Sequence, residues 1–172
     1  MQATDLDLLT QAARRSGDIA MGYFGQSPEI WDKPDDAGPV TAADLAVNTM
    51  LEQTLQAARP TYGWLSEETE DDTARLTKDT VFVVDPIDGT RAFINGTKDW
   101  SHSLAIVHHG QVTAAAVYVP LRDLMFTATK GGGAFLNGAP ITPTKCTDSP
   151  AATILTHKAN SQGKFWKAGV FP

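Results

Sequence analysis

Apolar residues that recur at helical spacing predict a first helix over residues 5–24. Thr4 and Asp7 form a capping-box pattern at its start, and Gly25 and Pro28 follow its end. The apolar positions that repeat are Leu8, Leu9, Ala12, Ala13, Ile19, Ala20 and Tyr23. They make one face of the helix apolar, so this face is expected to pack on the rest of the protein.

A second helix is predicted to start at Thr41, which forms another capping-box pattern with Asp44. Its apolar stripe ends at Arg59-Pro60, where the proline stops the helix. The intervening residues 29–39 are mostly polar and contain Pro34, Gly38 and Pro39. We therefore expect this segment to be a mobile surface loop.

Beyond residue 60 the pattern changes to short apolar runs separated by turn signals, which is typical of strands. A helical turn is predicted at 91–94, and hairpins at 109–111 and 130–133. The predicted strands are 62–66, 81–84, 103–108, 112–119, 124–129, 134–136 and 151–157. Two helices followed by strands in hairpins indicate an α+β fold, with the helices packed on a mostly antiparallel sheet.

The strand at 81–84 runs directly into carboxylates. Its valines predict burial on both faces, and we expect it to stop at Asp85-Pro86 because proline cannot donate to a ladder. Asp85 and Asp88 would repel each other at the end of such a strand unless a cation or several donors lay between them. Gly89 and Thr90 then add a tight turn, a backbone N–H and a hydroxyl. The stretch is therefore interpreted as a divalent-metal and phosphate site.

Another candidate ligand is Glu67, at the end of the 62–66 strand. Together with Asp85, Asp88 and the neutral Ile87 carbonyl it would form the oxygen-rich ligand set that Mg²⁺ prefers. Two metal ions held in this way stabilise both the attacking and the leaving oxygen of a phosphoryl transfer.

The hydroxyl of Thr90 could hold the attacking water if a carboxylate accepted its proton, and Asp44 is the candidate for that role. A capping function alone remains the alternative for Asp44, and Glu68 is interpreted as a solvated loop charge. No metal-ligand spacing involves the histidines, so all of these are predicted to lie on the surface: His102, His108 and His109.

Composition excludes some classes of protein. A net charge of −6 over 172 residues argues against binding to a nucleic-acid polymer. No apolar run is long enough to span a membrane. The single cysteine, Cys146, excludes an internal disulfide framework and fits a reducing, cytoplasmic location.

Four segments in order resemble the inositol monophosphatase family: 40–44, 64–69, 83–90 and 126–138. The resemblance covers about residues 5–157. It implies Mg²⁺-dependent, lithium-sensitive phosphatases with a layered αβαβα fold, here the N-terminal part of it, and a homodimer. The site roles that it implies are metal binding by Glu67, Asp85, Ile87 and Asp88, substrate binding by Ile87, Asp88, Gly89 and Thr90, and catalysis by Asp44 and Thr90. It also implies that Lys33 lies near the site.

The predicted substrate is a small phosphomonoester, with inositol monophosphate first. A 3′(2′),5′-bisphosphate nucleotide and histidinol phosphate remain open within the family. A haloacid-dehalogenase-type phosphatase is a different class, but its two aspartates lie two residues apart, whereas Asp85 and Asp88 lie three apart.

The family's later Trp-Asp motif has no counterpart after Asp99-Trp100. We therefore expect residues 1–157 to be an N-terminal metal-binding domain and 158–172 to be the start of a further domain. On that expectation the 172 residues alone would have little or no activity, and an inactive metal-binding fragment is the non-enzymatic alternative.

Overall fold

A computed structural model describes residues 4–33, 38–147 and 153 of the chain. The chain divides into two units, 1–141 and 142–172, and every helix and strand of the described residues belongs to the first unit. These elements are α1 Asp5–Met21, β1 Ile30–Asp32, β2 Pro39–Thr41, α2 Ala42–Ala58, β3 Gly63–Ser66, β4 Thr80–Asp88, α3 Thr90–Ile94, β5 Ser101–His108, β6 Gln111–Val119, β7 Leu124–Thr129, β8 Gly133–Leu136 and β9 Ala139–Ile141.

Strands β3 to β9 form a seven-stranded sheet in chain order. The pair β3–β4 is parallel, and every later pair is antiparallel. Helix α1 packs on α2 and on β5 and β6, which places the apolar core between the helices and one face of the sheet. The predicted α+β class with a mostly antiparallel sheet is therefore confirmed. No helix in the described part of the chain combines the length and apolar character needed to cross a membrane.

Both predicted capping boxes are present. Thr4 caps α1 with Asp7, and Thr41 caps α2 with Asp44. The first helix ends at Met21, earlier than predicted, and the chain then turns so that the Phe24 ring packs against Phe93. A local pattern identified these helices because capping and apolar periodicity act within a few residues.

The prediction for the strand at 81–84 was wrong in two respects. Strand β4 continues through Pro86 to Asp88, and its faces alternate between buried and half-buried positions. Its register with β5 shifts between Asp85, opposite Ser103, and Asp88, opposite Ser101. A β-bulge in this interval takes up Pro86, which has no N–H to offer to a ladder.

The expectation of a mobile loop at 29–39 was also wrong for the described part of that segment. Strands β1 and β2 form an antiparallel ladder with Ile30 opposite Thr41 and Asp32 opposite Pro39. Polar composition did not reveal this pairing, because β1 is exposed and its partner β2 is buried only at Val40 and Thr41.

The predicted hairpins at 109–111 and 130–133 and the turn at 91–94 are confirmed as the β5–β6 turn, the β7–β8 turn and α3. Strand β9 was not predicted. The predicted strand at 151–157 and the predicted domain boundary after residue 157 fall outside the described residues, apart from Thr153.

Candidate metal and phosphate site

The parallel pairing of β3 and β4 brings two predicted ligands together. Ser66 lies opposite Val84, and the next residue, Glu67, extends the ladder by donating its N–H to the Val84 carbonyl at 3.1 Å. Glu67 therefore emerges beside Asp85, where its negative charge opposes the ionisation of Asp85 and raises the pKa of that carboxyl. Because this register depends on strands that are distant in sequence, the two local patterns could not show it.

Asp85 has an environment suited to a cation. Its Oδ1 atom is buried and has no hydrogen-bond partner in the described structure. Burial, followed by the negative charge of Glu67 and then that of Asp88, raises the pKa of Asp85 to about 7. A divalent cation would remove this repulsion and give Oδ1 a partner, so the residues present fit a metal ion.

In the described residues, no three histidine, cysteine or acidic side chains form a closed metal-ligand cluster. The Lys33 ammonium instead lies 2.7 Å from Glu67 Oε1 and 2.6 Å from Glu68 Oε1. Burial lowers the pKa of Lys33, but its hydrogen bonds and charge interactions with both glutamates outweigh burial and raise the pKa overall. The implied proximity of Lys33 to the site is thus present in the structure.

The expectation that Glu68 is a solvated loop charge was wrong. Its side chain is only 6% exposed and is enclosed by the ion pair with Lys33. Burial raises the pKa of Glu68, and the hydrogen bond from Lys33 opposes this shift. The β1–β2 ladder brings Lys33 to this position, which explains why the sequence near Glu68 gave no sign of burial.

The bulge in β4 directs the Ile87 carbonyl towards Thr90, whose hydroxyl donates to it at 3.1 Å. Gly89 follows with a φ of +90°, a conformation that glycine adopts without steric cost. A Cβ there would lie 3.0 Å from the Asp99 carbonyl oxygen. This close turn starts α3, and a cavity of about 240 Å³ lies beside it, lined by Gly38, Pro39, Glu67, Gly89, Thr90 and Arg91.

Asp44 caps α2 and also contacts Thr90. Its Oδ2 accepts from the Thr41 N–H at 2.9 Å and from the Thr41 hydroxyl at 2.5 Å, which caps α2. Its Oδ1 lies 3.3 Å from the Thr90 hydroxyl. The carboxylate is fully buried, and burial raises its pKa against the hydrogen bonds that lower it. The contacts with Thr41 hold this carboxylate beside the Thr90 hydroxyl.

A polar network that was not predicted fixes the turn carrying Glu67. The Ser66 hydroxyl donates to Asn48 Oδ1 at 2.6 Å, and the Asn48 amide donates to the Thr69 hydroxyl at 2.9 Å. The Glu68 N–H donates to the Ser66 hydroxyl at 3.3 Å. The signal in the sequence was Asn48 within the otherwise apolar stripe of α2.

The prediction for the histidines is confirmed for His108 and His109, which are exposed, and wrong for His102, which is fully buried. The Nδ1 atom of His102 lies 2.5 Å from the Pro86 carbonyl oxygen. Burial lowers the pKa of His102 to about 4, so the ring is neutral near pH 7. The alternation of β5 places His102 on its helix-covered face. The predicted strand began at Ser103, so the alternation was not applied to His102.

Comparison with known proteins identifies similar chains. The sequence pattern of the inositol monophosphatase family matches residues 1–169. The chain is 30% identical to a histidinol-phosphatase of Chlorobaculum parvum, covering 88% of this chain and 58% of that protein. It is 34% identical to an inositol-1-monophosphatase of Rhizobium meliloti, covering 77% and 50% of the two chains.

A third relative is a 3′(2′),5′-bisphosphate nucleotidase of Escherichia coli, 35% identical over 73% of this chain and 52% of that protein. Among solved structures, the extragenic suppressor protein SuhB of Bartonella henselae matches with a TM-score of 0.74 and 31% identity, covering 81% of this chain and 54% of that one. The chain thus spans about half the length of the proteins that it matches.

Proposed function

This chain belongs to the inositol monophosphatase family, and we propose that it carries most of the metal and phosphate site of a Mg²⁺-dependent phosphomonoesterase. The observation that carries the proposal is the buried, unpartnered Oδ1 of Asp85 beside Glu67, next to a turn that aligns Ile87, Thr90 and Asp44. Carboxylates placed this close together, one of them with a buried oxygen that has no hydrogen-bond partner in the described structure, match the donor set of a hard divalent cation.

In the proposed site, Glu67, Asp85 and the Ile87 carbonyl hold one metal ion, and Asp85 with Asp88 contribute to a second. Mg²⁺ held there would supply positive charge against the negative charge that develops on the phosphoryl group. The backbone of Ile87, Asp88, Gly89 and Thr90 binds the phosphate. Gly89 and Thr90 border the cavity beside this turn.

Hydrolysis joins a water oxygen to phosphorus, breaks the ester P–O bond and releases an alcohol and inorganic phosphate. The Thr90 hydroxyl accepts a hydrogen bond from the water and passes its own proton towards Asp44, 3.3 Å away. The raised pKa of Asp44 suits a group that takes up a proton.

The proposed substrate is inositol monophosphate. The relatives named as a bisphosphate nucleotidase and a histidinol-phosphatase keep those two substrate classes as alternatives. Family membership also supports a homodimer, lithium inhibition and a cytoplasmic location, and each of these stays a prediction.

Release of inorganic phosphate tests the proposal. Inositol 1-phosphate, histidinol phosphate and adenosine 3′,5′-bisphosphate are supplied separately, with Mg²⁺ or with a chelator. We expect Mg²⁺-dependent release from one substrate by a protein in which this chain is joined to the later half of the family fold, and little or no release by the 172 residues alone. Release that is unaffected by the chelator would contradict the proposed chemistry.

Thr90→Ala separates the roles within the site. It removes the hydroxyl between Ile87 and Asp44 but none of the proposed carboxylate ligands. We expect the turnover rate to fall by about 10²-fold or more, while the Mg²⁺ concentration for half-maximal effect changes less than threefold. Loss of Mg²⁺ binding in this variant would contradict the role of Thr90 in water activation.

Two further measurements test the two other hypotheses, a haloacid-dehalogenase-type phosphatase and an inactive metal-binding fragment. An aspartyl adduct trapped with a fluoride–metal phosphoryl mimic would favour a covalent mechanism over direct attack by water. Mn²⁺ binding without release from any substrate would favour the metal-binding fragment, which has no turnover.

A further inference from the structure

His102 lies on β5 in the aromatic part of the core. Its residue exposure is 0%, and its ring meets the Trp100 ring edge-on with centroids 5.6 Å apart. The Trp100 ring in turn packs on Phe93 at 4.9 Å and on Phe24 at 5.7 Å. An apolar side chain would fill this position equally well, so packing alone does not account for an imidazole there.

The hydrogen bond of His102 defines its tautomer. Pro86 offers a carbonyl oxygen, which only accepts, so the hydrogen must be on Nδ1 of His102. The other nitrogen, Nε2, is then an acceptor, and it is buried without a partner in the described structure. A buried acceptor without a partner destabilises the fold. His102 therefore combines one strong contact with a cost to stability.

The strong contact is made at the bulge of β4. The cross-strand pairs with β5 include Asp85 with Ser103 and Asp88 with Ser101, but the two residues between them have no such pair. His102 stands on β5 between those serines and donates to the first carbonyl of this unpaired interval. On its other side, its backbone pairs with Tyr118. The bond therefore links the rigid sheet to the peptide that joins the proposed metal ligands.

We propose that His102 is a positioning residue of the metal site: its Nδ1–H holds the Pro86 carbonyl and thereby sets the orientation of the Asp85 carboxylate and the Ile87 carbonyl. The inference rests on the proposed function only in that these groups bind a metal. His102 itself lies beneath the bulge and is not a ligand. Residues that orient ligands in this way typically change metal affinity by 10- to 100-fold when they are removed.

Direct binding of Mn²⁺ to the 172-residue chain, measured from the EPR signal of the free ion, tests the inference without relying on turnover. His102→Leu removes the donor and also the unpartnered acceptor. The change also leaves the buried Pro86 carbonyl without its donor, which offsets the gain from removing the unpartnered Nε2. We therefore expect Mn²⁺ affinity to fall about tenfold or more, while the melting temperature of the metal-free chain stays close to that of the wild type. Wild-type affinity in this variant would overturn the inference.

Two amide variants separate the donor from the shape of the ring. His102→Asn presents an N–H where Nδ1 lies and should restore binding to within about threefold of the wild type. His102→Gln presents its amide further along the side chain and should bind as weakly as the leucine variant. Equal affinity of the asparagine and glutamine variants would overturn the inference, and this comparison also decides the matter if the leucine variant does not fold.

The matched control is His108→Leu, the same change at the exposed end of the same strand. It should leave Mn²⁺ affinity unchanged, and an equal loss there would show an effect unrelated to the bulge. Failure of the wild type to bind Mn²⁺ would count against the proposed function itself, whereas binding that is insensitive to His102 counts against the inference alone.

The tautomer gives an independent readout. In protein labelled with ¹⁵N-histidine, His102 should show a proton on Nδ1 and none on Nε2 at pH 7. The opposite tautomer would remove the hydrogen bond to Pro86 and overturn the inference, whatever the binding data show.

Discussion

Asp85→Asn is expected to stabilise the metal-free chain at pH 8 and to abolish its response to Mg²⁺. The wild-type carboxylate is buried beside Glu67, which opposes its ionisation. Asparagine has the same shape without the charge, and its N–H₂ group can donate to Glu67. The substitution therefore relieves repulsion in the absence of metal and removes a ligand in its presence.

The magnitude follows from the pKa of about 7 in the folded chain, against an ordinary value of 3.8. One pKa unit corresponds to about 1.4 kcal/mol, so the cost of ionised Asp85 has an upper limit of about 4 kcal/mol. Asp85 is only partly buried, and solvent screens its interactions. We therefore expect the free energy of unfolding to rise by about 1 to 2 kcal/mol at pH 8.

The pH dependence has a definite sign. A carboxyl whose pKa is raised by folding contributes its stability fully below pH 3.8, and this contribution is lost as the pH rises through about 7. The stabilising effect of Asp85→Asn should therefore be full at pH 8 and shrink towards zero near pH 4. The contribution of the buried, neutral His102 to the free energy of unfolding is also lost as the pH falls from 6.5 towards 4. This loss occurs in both proteins, so it cancels in the difference between their free energies of unfolding.

Urea unfolding with a chelator, at several pH values between 4 and 8, measures the effect. Asp18→Asn on the exposed face of α1 is the control for a loss of one negative charge. With Mg²⁺ added, only the wild type and the control should gain stability. A variant no more stable than the wild type at pH 8, or equally stabilised at pH 4 and pH 8, would refute the reasoning.

Three further substitutions test the elements that hold the site. Phe93→Ala, at the buried residue of α3 that is only 2% exposed, should lower the free energy of unfolding by about 3 to 5 kcal/mol in urea. Leu76→Ala, at a residue 69% exposed, should change it by less than about 0.5 kcal/mol. Ser66→Ala leaves Asn48 Oδ1 and the Glu68 N–H without their partner and should cost about 1 to 3 kcal/mol by the same measurement; no change would mean that this network does not fix the turn. Gly89→Ala places a Cβ 3.0 Å from a backbone oxygen at a φ of +90°, so a lower melting temperature and weaker Mn²⁺ binding are expected, and wild-type values of both would contradict the tight turn.

Part of the candidate site could be predicted from the sequence. Asp85, Asp88, Gly89 and Thr90 are contiguous with one strand, so a short pattern of acid, proline and glycine was enough to select them. Whether they bind a metal remains a prediction. Glu67 was predicted as a metal ligand from its carboxylate and its place at a strand end, and the parallel register of β3 and β4 brings it beside Asp85.

The residues that sequence reasoning misjudged are those whose environment comes from distant segments. Glu68 looked like loop charge, but the β1–β2 ladder encloses it with Lys33. His102 looked like a surface residue, but it lies under the bulge of β4. In both cases the burial of a titratable group depends on an element more than ten residues away along the chain.

The sequence by itself determined what acts over a few residues: the capping boxes of α1 and α2, the hairpins, and the acidic turn after the valine-rich strand. Caps and tight turns are local because their hydrogen bonds join residues two to four positions apart. Only the tertiary structure decided the continuation of β4 through Pro86, the pairing of β1 with β2, and the burial of Glu68 and His102. Register and burial depend on which strands meet, and that choice is made by the whole core rather than by any one segment.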